Sequence, residues 1–261
     1  MRCAFISDVH SNFEALAAVV KEIDRLGIKK IFSAGDIIGY GPDPGSCIDL
    51  FRRRGIVSVL GNHDAFVAEG MDRLNYNYIA FTALGLNCFM LSADDKAYIS
   101  GLKRSESIDD LLLVHARPPD DLKNYVWSVH DIFDLVPGMD KRVYIIGHTH
   151  SPVMFKVERS AAGYVGMSQS YSRSNLVFES GNTKITRYVS GEVKLEPGCR
   201  YVFNPGSVGQ PRDGDPRASF GVLADDSFEI RRVKYNIGRT VKVMEDKGYP
   251  EFLHSRLFKG R

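Results

Sequence analysis

Five of the seven histidines in this chain lie in short polar clusters, most of which also carry aspartate or asparagine. Carboxylate and amide oxygens combined with imidazole nitrogens, with no thiolate among them, suit a divalent ion such as manganese, iron or zinc. The clusters offer more ligands than one ion needs, so the sequence predicts a site for two metal ions. In chain order the clusters are Asp8-Val9-His10, Gly35-Asp36, Gly61-Asn62-His63-Asp64, His115 and Gly147-His148-Thr149-His150.

Each cluster follows an apolar run that is short enough to be a buried strand. Ligands of open α/β sheets gather outside the carboxyl ends of the strands. We therefore expect the clusters to meet at one edge of a sheet. The apolar runs are 3–6, 31–32, 56–60, 111–114 and 143–146.

The N-terminal part of the chain alternates predicted strands and helices, which indicates a parallel sheet with right-handed crossovers. The first helix is expected to open with a capping box from Ser11 to Glu14. The second is expected to have Asp43 as its N-cap and Pro44 as its first residue. The predicted strands are 2–7, 30–34 and 56–60, and the two helices stop at Gly27 and Gly55.

The remainder of the chain divides into a helical middle part and a strand-rich part after Pro152. Antiparallel strands are expected in the latter because short β-type runs are separated by turn residues. A loop or lid is expected around 161–174, which is rich in serine, glycine and tyrosine. The predicted helices are 76–91, 94–100, 128–136 and a tail from about 237; the predicted strands are 104–108, 111–115, 142–146, 153–157, 176–179, 184–189, 192–195, 219–224 and 228–235.

Length and composition limit the class of protein. With 261 residues, 44% of them hydrophobic, the chain is long enough for one large core, and we expect a single domain over residues 1–261. The formal net charge of +2 gives no strong nucleic-acid signal. No apolar stretch approaches the ~18 residues of a membrane span. Four scattered cysteines without a CxxC pattern, and the lack of a signal peptide, indicate a reduced, cytoplasmic protein.

The order D-x-H, G-D, G-N-H-D, a lone histidine after a strand and G-H-x-H resembles the calcineurin-like metallophosphoesterase superfamily. These motifs span residues 8 to 150. A further stretch from Asn204 to Arg212, N-P-G-S-V-G-Q-P-R, resembles the small prokaryotic-type phosphodiesterase branch. The resemblance implies an α/β (α+β) fold, a four-layer αββα sandwich of two mixed β-sheets flanked by helices.

The resemblance also implies a role for each residue of the polar clusters. A hydroxide held between two divalent ions would attack the phosphorus of the substrate in line. His63 would stay unligated and would protonate the leaving alkoxide or orient the phosphate, which makes it the expected catalytic residue together with Asp36. The implied ligands are Asp8, His10 and His150 for the first ion, Asn62, His115 and His148 for the second, and Asp36 for both.

One motif departs from better-known relatives. Protein Ser/Thr phosphatases and symmetrical dinucleoside tetraphosphate hydrolases carry G-D-x-V-D-R-G, where this chain has G-D-I-I-G-Y-G from Gly35 to Gly41. Gly39 thus replaces the aspartate that would support the catalytic histidine, so Asp64 or nothing orients His63. The phosphate-gripping arginine is also missing, and Arg212 is the candidate replacement, with a structural salt bridge as the alternative. The candidate substrate-binding residues are Arg212, Asn62 and Tyr40.

The leading functional prediction is hydrolysis of a small phosphodiester or nucleotide-like substrate, because a diester needs less charge neutralisation than a monoester. A phosphomonoesterase or protein Ser/Thr phosphatase is the alternative enzyme. A catalytically inactive protein-binding scaffold of the same fold is the third possibility. For the segment from Asn204 to Arg212 two interpretations stand: support of the histidine loops, or a turn that joins two strands. The sequence leaves the metal identity and the oligomeric state open.

Overall fold

The structure, a computed structural model, describes residues 2–70, 76–159, 168–171 and 175–261. Its strands, numbered in chain order, form two mixed sheets. The six-stranded sheet runs in the order β11 (Glu192–Lys194), β14 (Ser227–Val233), β13 (Ala218–Ala224), β1 (Cys3–Ile6), β2 (Lys30–Ser33) and β3 (Val57–Ser58). The eight-stranded sheet runs in the order β4 (Ser105–Ile108), β5 (Leu111–Val114), β6 (Val143–Ile145), β12 (Arg200–Asn204), β7 (Val153–Arg159), β10 (Thr183–Tyr188), β9 (Asn175–Ser180) and β8 (Ser168–Tyr171).

The parallel β1-β2-β3 arrangement that the sequence predicts is confirmed. Strand β1 also pairs antiparallel with β13, which returns from the far end of the chain. In the second sheet β5, β6 and β12 run parallel to one another. After Pro152, β7 pairs antiparallel with β12 and β10, and β10 pairs antiparallel with β9, as expected. Both sheets are therefore mixed.

Two strands differ from the sequence-based prediction. No strand was expected at Arg200–Asn204, yet β12 lies in the middle of the second sheet between β6 and β7. Its neighbours are far away in the chain, so local patterning did not indicate its importance. Strand β8 lies inside the expected loop 161–174, so that prediction is wrong for 168–171; positions 161–167 and 172–174 lie outside the described residues.

The alternation of side chains along β1 explains the layers. Cys3 and Phe5 point into a core between the two sheets, where they meet Phe203 of β12 and Phe228 of β14. The rings of Phe203 and Phe228 stack across this interface with centroids 4.2 Å apart. Ala4 and Ile6 face the other way, into a core covered by helices. Helices therefore flank both sheets, and the predicted four-layer sandwich is confirmed.

The α-helices of the described residues are α1 Phe13–Arg25, α2 Pro44–Arg54, α3 Asn62–Ala68, α4 Tyr78–Met90, α5 Ala93–Ser100, α6 Val129–Leu135, α7 Ile237–Asp246 and α8 Glu251–Lys259. Four of these eight helices cover the outer face of the first sheet. Helices α1, α2, α3 and α5 pack on it, α4 joins α7 and α8 in a separate apolar cluster, and α6 covers the second sheet. No helix in the described parts of the chain is long and apolar enough to cross a membrane.

The start of α1 corrects one prediction. Asn12, not Ser11, is the N-cap, and its Oδ1 accepts a hydrogen bond from the Ala15 amide at 3.2 Å. Ser11 has a left-handed backbone with φ 56°, unlike the extended backbone typical of an N-cap. Its hydroxyl instead donates to Asn87 Oδ1 of α4 at 2.5 Å. The capping box from Ser11 to Glu14 is therefore wrong.

Candidate metal centre

The polar clusters meet at one edge of the sandwich, where the strands of both sheets end. Asp8 lies two residues after β1, Asp36 lies three residues after β2, and His115 directly follows β5. Asn62 and His63 occupy the first turn of α3, a helix that the sequence analysis did not predict there. All seven proposed metal ligands and His63 are buried or partly buried at this edge. The expected convergence of the clusters is observed.

Five of these side chains project from strained backbone. A left-handed φ costs a non-glycine residue about 1–2 kcal/mol, and such residues concentrate at functional sites. Backbone hydrogen bonds hold the turns in place, for example from the Asp8 amide to the Gly35 carbonyl and from the His10 amide to the Asp36 carbonyl, each 3.0 Å long. The φ values are 53° for Asp8, 48° for His10, 55° for Asp36, 67° for His148 and 60° for His150.

The first group of ligand atoms comes from Asp8, His10 and His150. His10 Nδ1 donates to the Ile38 carbonyl at 3.1 Å and His150 Nδ1 donates to the Gln210 carbonyl at 2.7 Å. Since a carbonyl only accepts, each Nδ1 carries the proton and each Nε2 keeps its lone pair. The two Nε2 atoms lie 2.9 Å apart. His150 Nε2 also lies 3.5 Å from a carboxylate oxygen of Asp8.

The second group comes from Asn62, His115 and His148. Here His115 Nδ1 donates to the Ala34 carbonyl at 2.7 Å, and His148 Nε2 donates to the Lys123 carbonyl at 3.2 Å. The opposite ring nitrogens therefore face inward as acceptors. His115 Nε2 lies 2.9 Å from Asn62 Oδ1 and 3.1 Å from His148 Nδ1.

Asp36 lies between the two groups. Its Oδ1 accepts a hydrogen bond from the His63 amide at 2.8 Å. Its buried Oδ2 has no hydrogen-bond partner among the described residues. That oxygen lies 3.6 Å from His10 Nε2 on one side and 3.5 Å from His115 Nε2 on the other. One unpartnered carboxylate oxygen thus faces both groups.

Burial shapes the protonation of these ligands. It raises the pKa of the Asp8 carboxyl to about 7 and the pKa of Asp36 well above its ordinary value, with the nearby Asp64 charge adding to the second effect. Burial also lowers the pKa of His148 to about 3 and the pKa values of His10 and His150 well below their usual range. Neutral imidazoles then point lone pairs at one another, an arrangement that is repulsive unless a cation lies between them. The donor set fits divalent metal ions.

His63 lies beside this centre, within an aromatic enclosure. Its ring centroid is 4.6 Å from that of His10 and 4.7 Å from that of Tyr40. Burial, followed by the positive charge of Arg212, lowers the pKa of His63 well below its usual range. Asp64 does not orient it, since the Asp64 carboxylate accepts from the amides of Ile37, Ile38 and Gly61 at 3.0–3.3 Å.

Gly39 explains why no aspartate supports His63. It has φ 146°, and a Cβ there would lie 2.2 Å from His10 Nδ1 and 2.8 Å from His63 Nδ1. Both distances are far below van der Waals contact, so any side chain at this position would displace a histidine. The Gly39 amide is held instead by Asn87, whose Oδ1 accepts from it at 2.9 Å. The sequence analysis does not single out Asn87, although an asparagine within the apolar run that forms α4 was a usable signal.

Arg212 and Tyr40 form the wall of the cleft in front of the centre. The Arg212 guanidinium lies over the Tyr40 ring, 5.5 Å from its centroid, and donates to Gln210 Oε1 at 2.9 Å. Among the described residues, its buried Nε has no hydrogen-bond partner and no carboxylate forms an ion pair with it. The salt-bridge alternative therefore finds no support in the described structure.

The segment from Asn204 to Arg212 contacts the ligand turns directly. Asn204 Nδ2 donates to the Gly147 carbonyl at 2.7 Å and to Thr149 Oγ1 at 3.0 Å. Ser207 Oγ donates to the Asp8 carbonyl at 2.7 Å. A Cβ on Gly209 would lie 1.8 Å from the Val9 carbonyl oxygen, so only glycine fits at this approach. These contacts favour the supporting interpretation of the segment.

Two adjoining clefts lead to the centre. A small one of about 110 Å³ is lined by Asp36, Asn62, His63 and Arg212, among others. A larger one of about 720 Å³ shares Asn62 and Tyr76 with it and continues past Lys123. A phosphate group and a larger substituent would both find space here.

The chain is similar to a known protein family and to several known proteins. A model of the calcineurin-like phosphoesterase superfamily domain matches residues 1–227. A crystal structure of a metallophosphoesterase from Sphaerobacter thermophilus is 32% identical, with a TM-score of 0.80, covering 100% of this chain and 99% of that chain. An uncharacterized protein of Methanocaldococcus jannaschii is 33% identical over 271 residues, 99% of this chain and 98% of that protein. A hypothetical protein from Pyrococcus horikoshii shares the fold at 15% identity, with a TM-score of 0.77 and coverage of 100% and 98%.

Proposed function

Because the chain belongs to the calcineurin-like phosphoesterase superfamily, we propose that it hydrolyses phosphodiester or nucleotide-like substrates with two divalent metal ions. One observation carries this proposal. The unpartnered Oδ2 of Asp36 lies between two groups of acceptor atoms, 3.6 Å from His10 Nε2 and 3.5 Å from His115 Nε2. A carboxylate in this position suits a bridging ligand.

The ligands divide between two ions. Asp8, His10 and His150 would hold one ion, Asn62, His115 and His148 the other, and Asp36 both. Two divalent ions, when bound, would activate a water molecule and offset the charge of the phosphate. The carbonyls that accept from the ring N–H groups fix each imidazole with its free lone pair inward, the arrangement that supports metal ligation.

His63 is proposed to contact the phosphate. In its neutral form it keeps one N–H, which is sufficient to orient a phosphate oxygen. Transfer of a proton to the leaving oxygen requires a higher pKa, and the negative charge of a bound phosphate acts in that direction. The nearby Arg212 charge acts in the opposite direction in the free protein.

Arg212 is proposed to hold the substrate phosphate. Its Nε–H has no hydrogen-bond partner among the described residues, and its guanidinium rests on the Tyr40 ring, which limits its freedom. A planar guanidinium suits phosphate because it donates two parallel hydrogen bonds. Tyr40 would thus take part in substrate binding as the surface beneath Arg212, while Asn62 lines both clefts.

A diester preference follows from what the site lacks. Position 39 has no room for a side chain, and Tyr40 stands where the motif G-D-x-V-D-R-G has its phosphate-gripping arginine. A dianionic monoester would then face one arginine only, whereas a diester carries one negative charge. The cleft of about 720 Å³ beside Asn62 offers space for the second substituent of a diester.

The test compares a diester and a monoester of the same alcohol, bis(p-nitrophenyl) phosphate and p-nitrophenyl phosphate, with manganese-loaded protein. We expect the higher kcat/KM for the diester, and its loss in Asp36→Asn, which shows that the activity belongs to this site. A tenfold preference for the monoester would support the phosphatase alternative instead. Failure to hydrolyse either ester with metal bound would support the protein-binding scaffold.

A further inference from the structure

Two exposed aromatic side chains continue from the candidate metal centre toward solvent. The Tyr125 ring stacks on the His148 ring with centroids 4.1 Å apart and planes 14° from parallel. The Trp127 ring follows, with its centroid 5.2 Å from that of Tyr125 and its plane tilted by 34°. Tyr125 is 41% exposed and Trp127 is 48% exposed. We refer to Tyr125 and Trp127 as the aromatic ledge.

Hydrogen bonds join the backbone of the ledge to the candidate metal ligand His148 and to α6. The Lys123 carbonyl, two residues before Tyr125, accepts the hydrogen bond from His148 Nε2 at 3.2 Å. The Asp121 carboxylate accepts from the Lys123 amide at 2.6 Å and shapes the turn. At the other end the Trp127 amide donates to Asp131 Oδ2 of α6 at 3.0 Å. These hydrogen bonds anchor the backbone that carries both rings beside the candidate metal centre.

The position of the ledge suits a ring attached to a phosphate. Tyr125 lines the small cleft together with His148 and Arg212, so the ledge begins where the proposed phosphate position ends. Exposed aromatic rings in series provide a stacking surface for a nucleobase, whose flat face binds them without sequence-specific hydrogen bonds. A single exposed aromatic residue would need no explanation, but these two rings stack in line with a candidate metal ligand.

The charge of the neighbouring cleft argues against a second phosphate there. The larger cleft carries three acidic side chains, Glu69, Asp120 and Asp121, against the cations Arg104 and Lys123. Arg104 is also paired with Glu69. Among the described residues of this cleft a polyphosphate would meet no excess of positive charge, whereas the hydroxyls of a ribose suit its polar walls.

We propose that the aromatic ledge stacks on the nucleobase of the substrate, so that the enzyme selects nucleoside-containing phosphodiesters. This inference rests on the proposed function, since it assigns the substituent of the same phosphoester. Trp127 is a specificity-determining residue in this arrangement, and Tyr125 links it to His148.

Fluorescence tests binding directly, because Trp127 is the only tryptophan of the chain. Adenosine monophosphate, added to the manganese-loaded protein, is expected to quench the emission in a saturable way. Ribose 5-phosphate, which has the same phosphate and sugar but no base, is expected to leave it unchanged. Equal responses to the two ligands, or no response to either, would overturn the proposal.

Kinetics test specificity with two diesters that release the same p-nitrophenol, thymidine 5′-(p-nitrophenyl phosphate) and methyl p-nitrophenyl phosphate. In Trp127→Ala the ratio of kcat/KM for the nucleoside ester to that for the methyl ester should fall about tenfold, the size of one base–aromatic stack. Trp127→Phe should restore most of this ratio. Phe89→Ala removes another exposed aromatic, 91% exposed on α4, and should leave the ratio unchanged.

The two proposals fail in different ways. Hydrolysis of the methyl ester by the wild-type protein, with kcat/KM unchanged for both esters in Trp127→Ala, would refute the ledge and leave the phosphodiesterase proposal standing. An equal fall for both esters would mean that the ledge binds the p-nitrophenyl ring and would refute the nucleobase assignment. No hydrolysis of either ester by the metal-loaded wild type would count against the phosphodiesterase proposal, while the fluorescence titration would still decide the ledge.

Discussion

Asn204→Ala should separate the support of the histidine turn from general stability. Asn204 is fully buried at the end of β12. Its side chain makes three hydrogen bonds, to the Gly147 carbonyl, to Thr149 Oγ1 and from the Gly206 amide, at 2.7, 3.0 and 2.8 Å. Two of the three hold the turn that carries His148 and His150. The variant therefore removes support from both proposed metal positions at once.

The expected loss follows from these contacts. A neutral hydrogen bond contributes about 0.5–1.5 kcal/mol, so three of them account for about 3 kcal/mol of the free energy of unfolding. For a chain of this size that corresponds to a fall in Tm of about 6–12 °C. Loss of groups that orient metal ligands commonly weakens metal affinity about 10–100-fold. The variant should therefore also gain less thermal stability from added metal than the wild type does.

The assay is thermal unfolding of metal-free protein with increasing manganese, for the wild type and the variant. Asn236→Ala is the matched control, because Asn236 caps α7 through one hydrogen bond from the Arg239 amide at 3.0 Å, away from the ligand turns. It should lose about 1 kcal/mol of stability and keep the full response to manganese. If Asn204→Ala loses stability but keeps the wild-type response to manganese and the wild-type activity, the positioning argument is wrong.

Two further variants test the residues at the cleft. His63→Ala should keep the metal content and lower kcat by about 10²-fold or more. His63→Gln should recover part of this loss if the side chain mainly orients the phosphate. An unchanged rate in His63→Ala with a poor leaving group would remove His63 from the mechanism. Arg212→Ala should raise KM for phosphodiesters, the small aryl diester included, because it removes the guanidinium that is proposed to hold the phosphate. An unchanged KM, measured by initial rates, would remove Arg212 from substrate binding.

The meeting of the polar clusters was predictable because it depends on local features of the sequence. Asp8 and Asp36 each follow a short apolar strand, and parallel strands bring their carboxyl ends to one edge. The side-chain chemistry then indicated a metal site. The hydrogen bonds that fix the ring nitrogens could not be predicted from the sequence, because the partners of His10 and His150 are the backbone carbonyls of Ile38 and Gln210. Every residue has a backbone carbonyl, so the sequence does not show which carbonyl accepts the hydrogen bond of a given histidine.

The errors in the fold come from long-range contacts. Ser11 and Asn12 are both good N-cap residues, and the choice between them depends on Asn87, which engages the Ser11 hydroxyl from a distant helix. Strand β12 is central only because β6 and β7 pair with it. The aromatic ledge was missed for the same reason, since the stacking of Tyr125 on His148 depends on the turn after β5.

The central claim, two metal ions that share Asp36, is tested most directly by anomalous diffraction from crystals of manganese-loaded protein. We predict two anomalous peaks per chain, one beside Asp8, His10 and His150, the other beside Asn62, His115 and His148, both next to Asp36 Oδ2. In Asp36→Asn, which weakens the shared ligand, both peaks should diminish together. A single peak in catalytically active wild-type protein, or two peaks that do not share Asp36, would contradict the account.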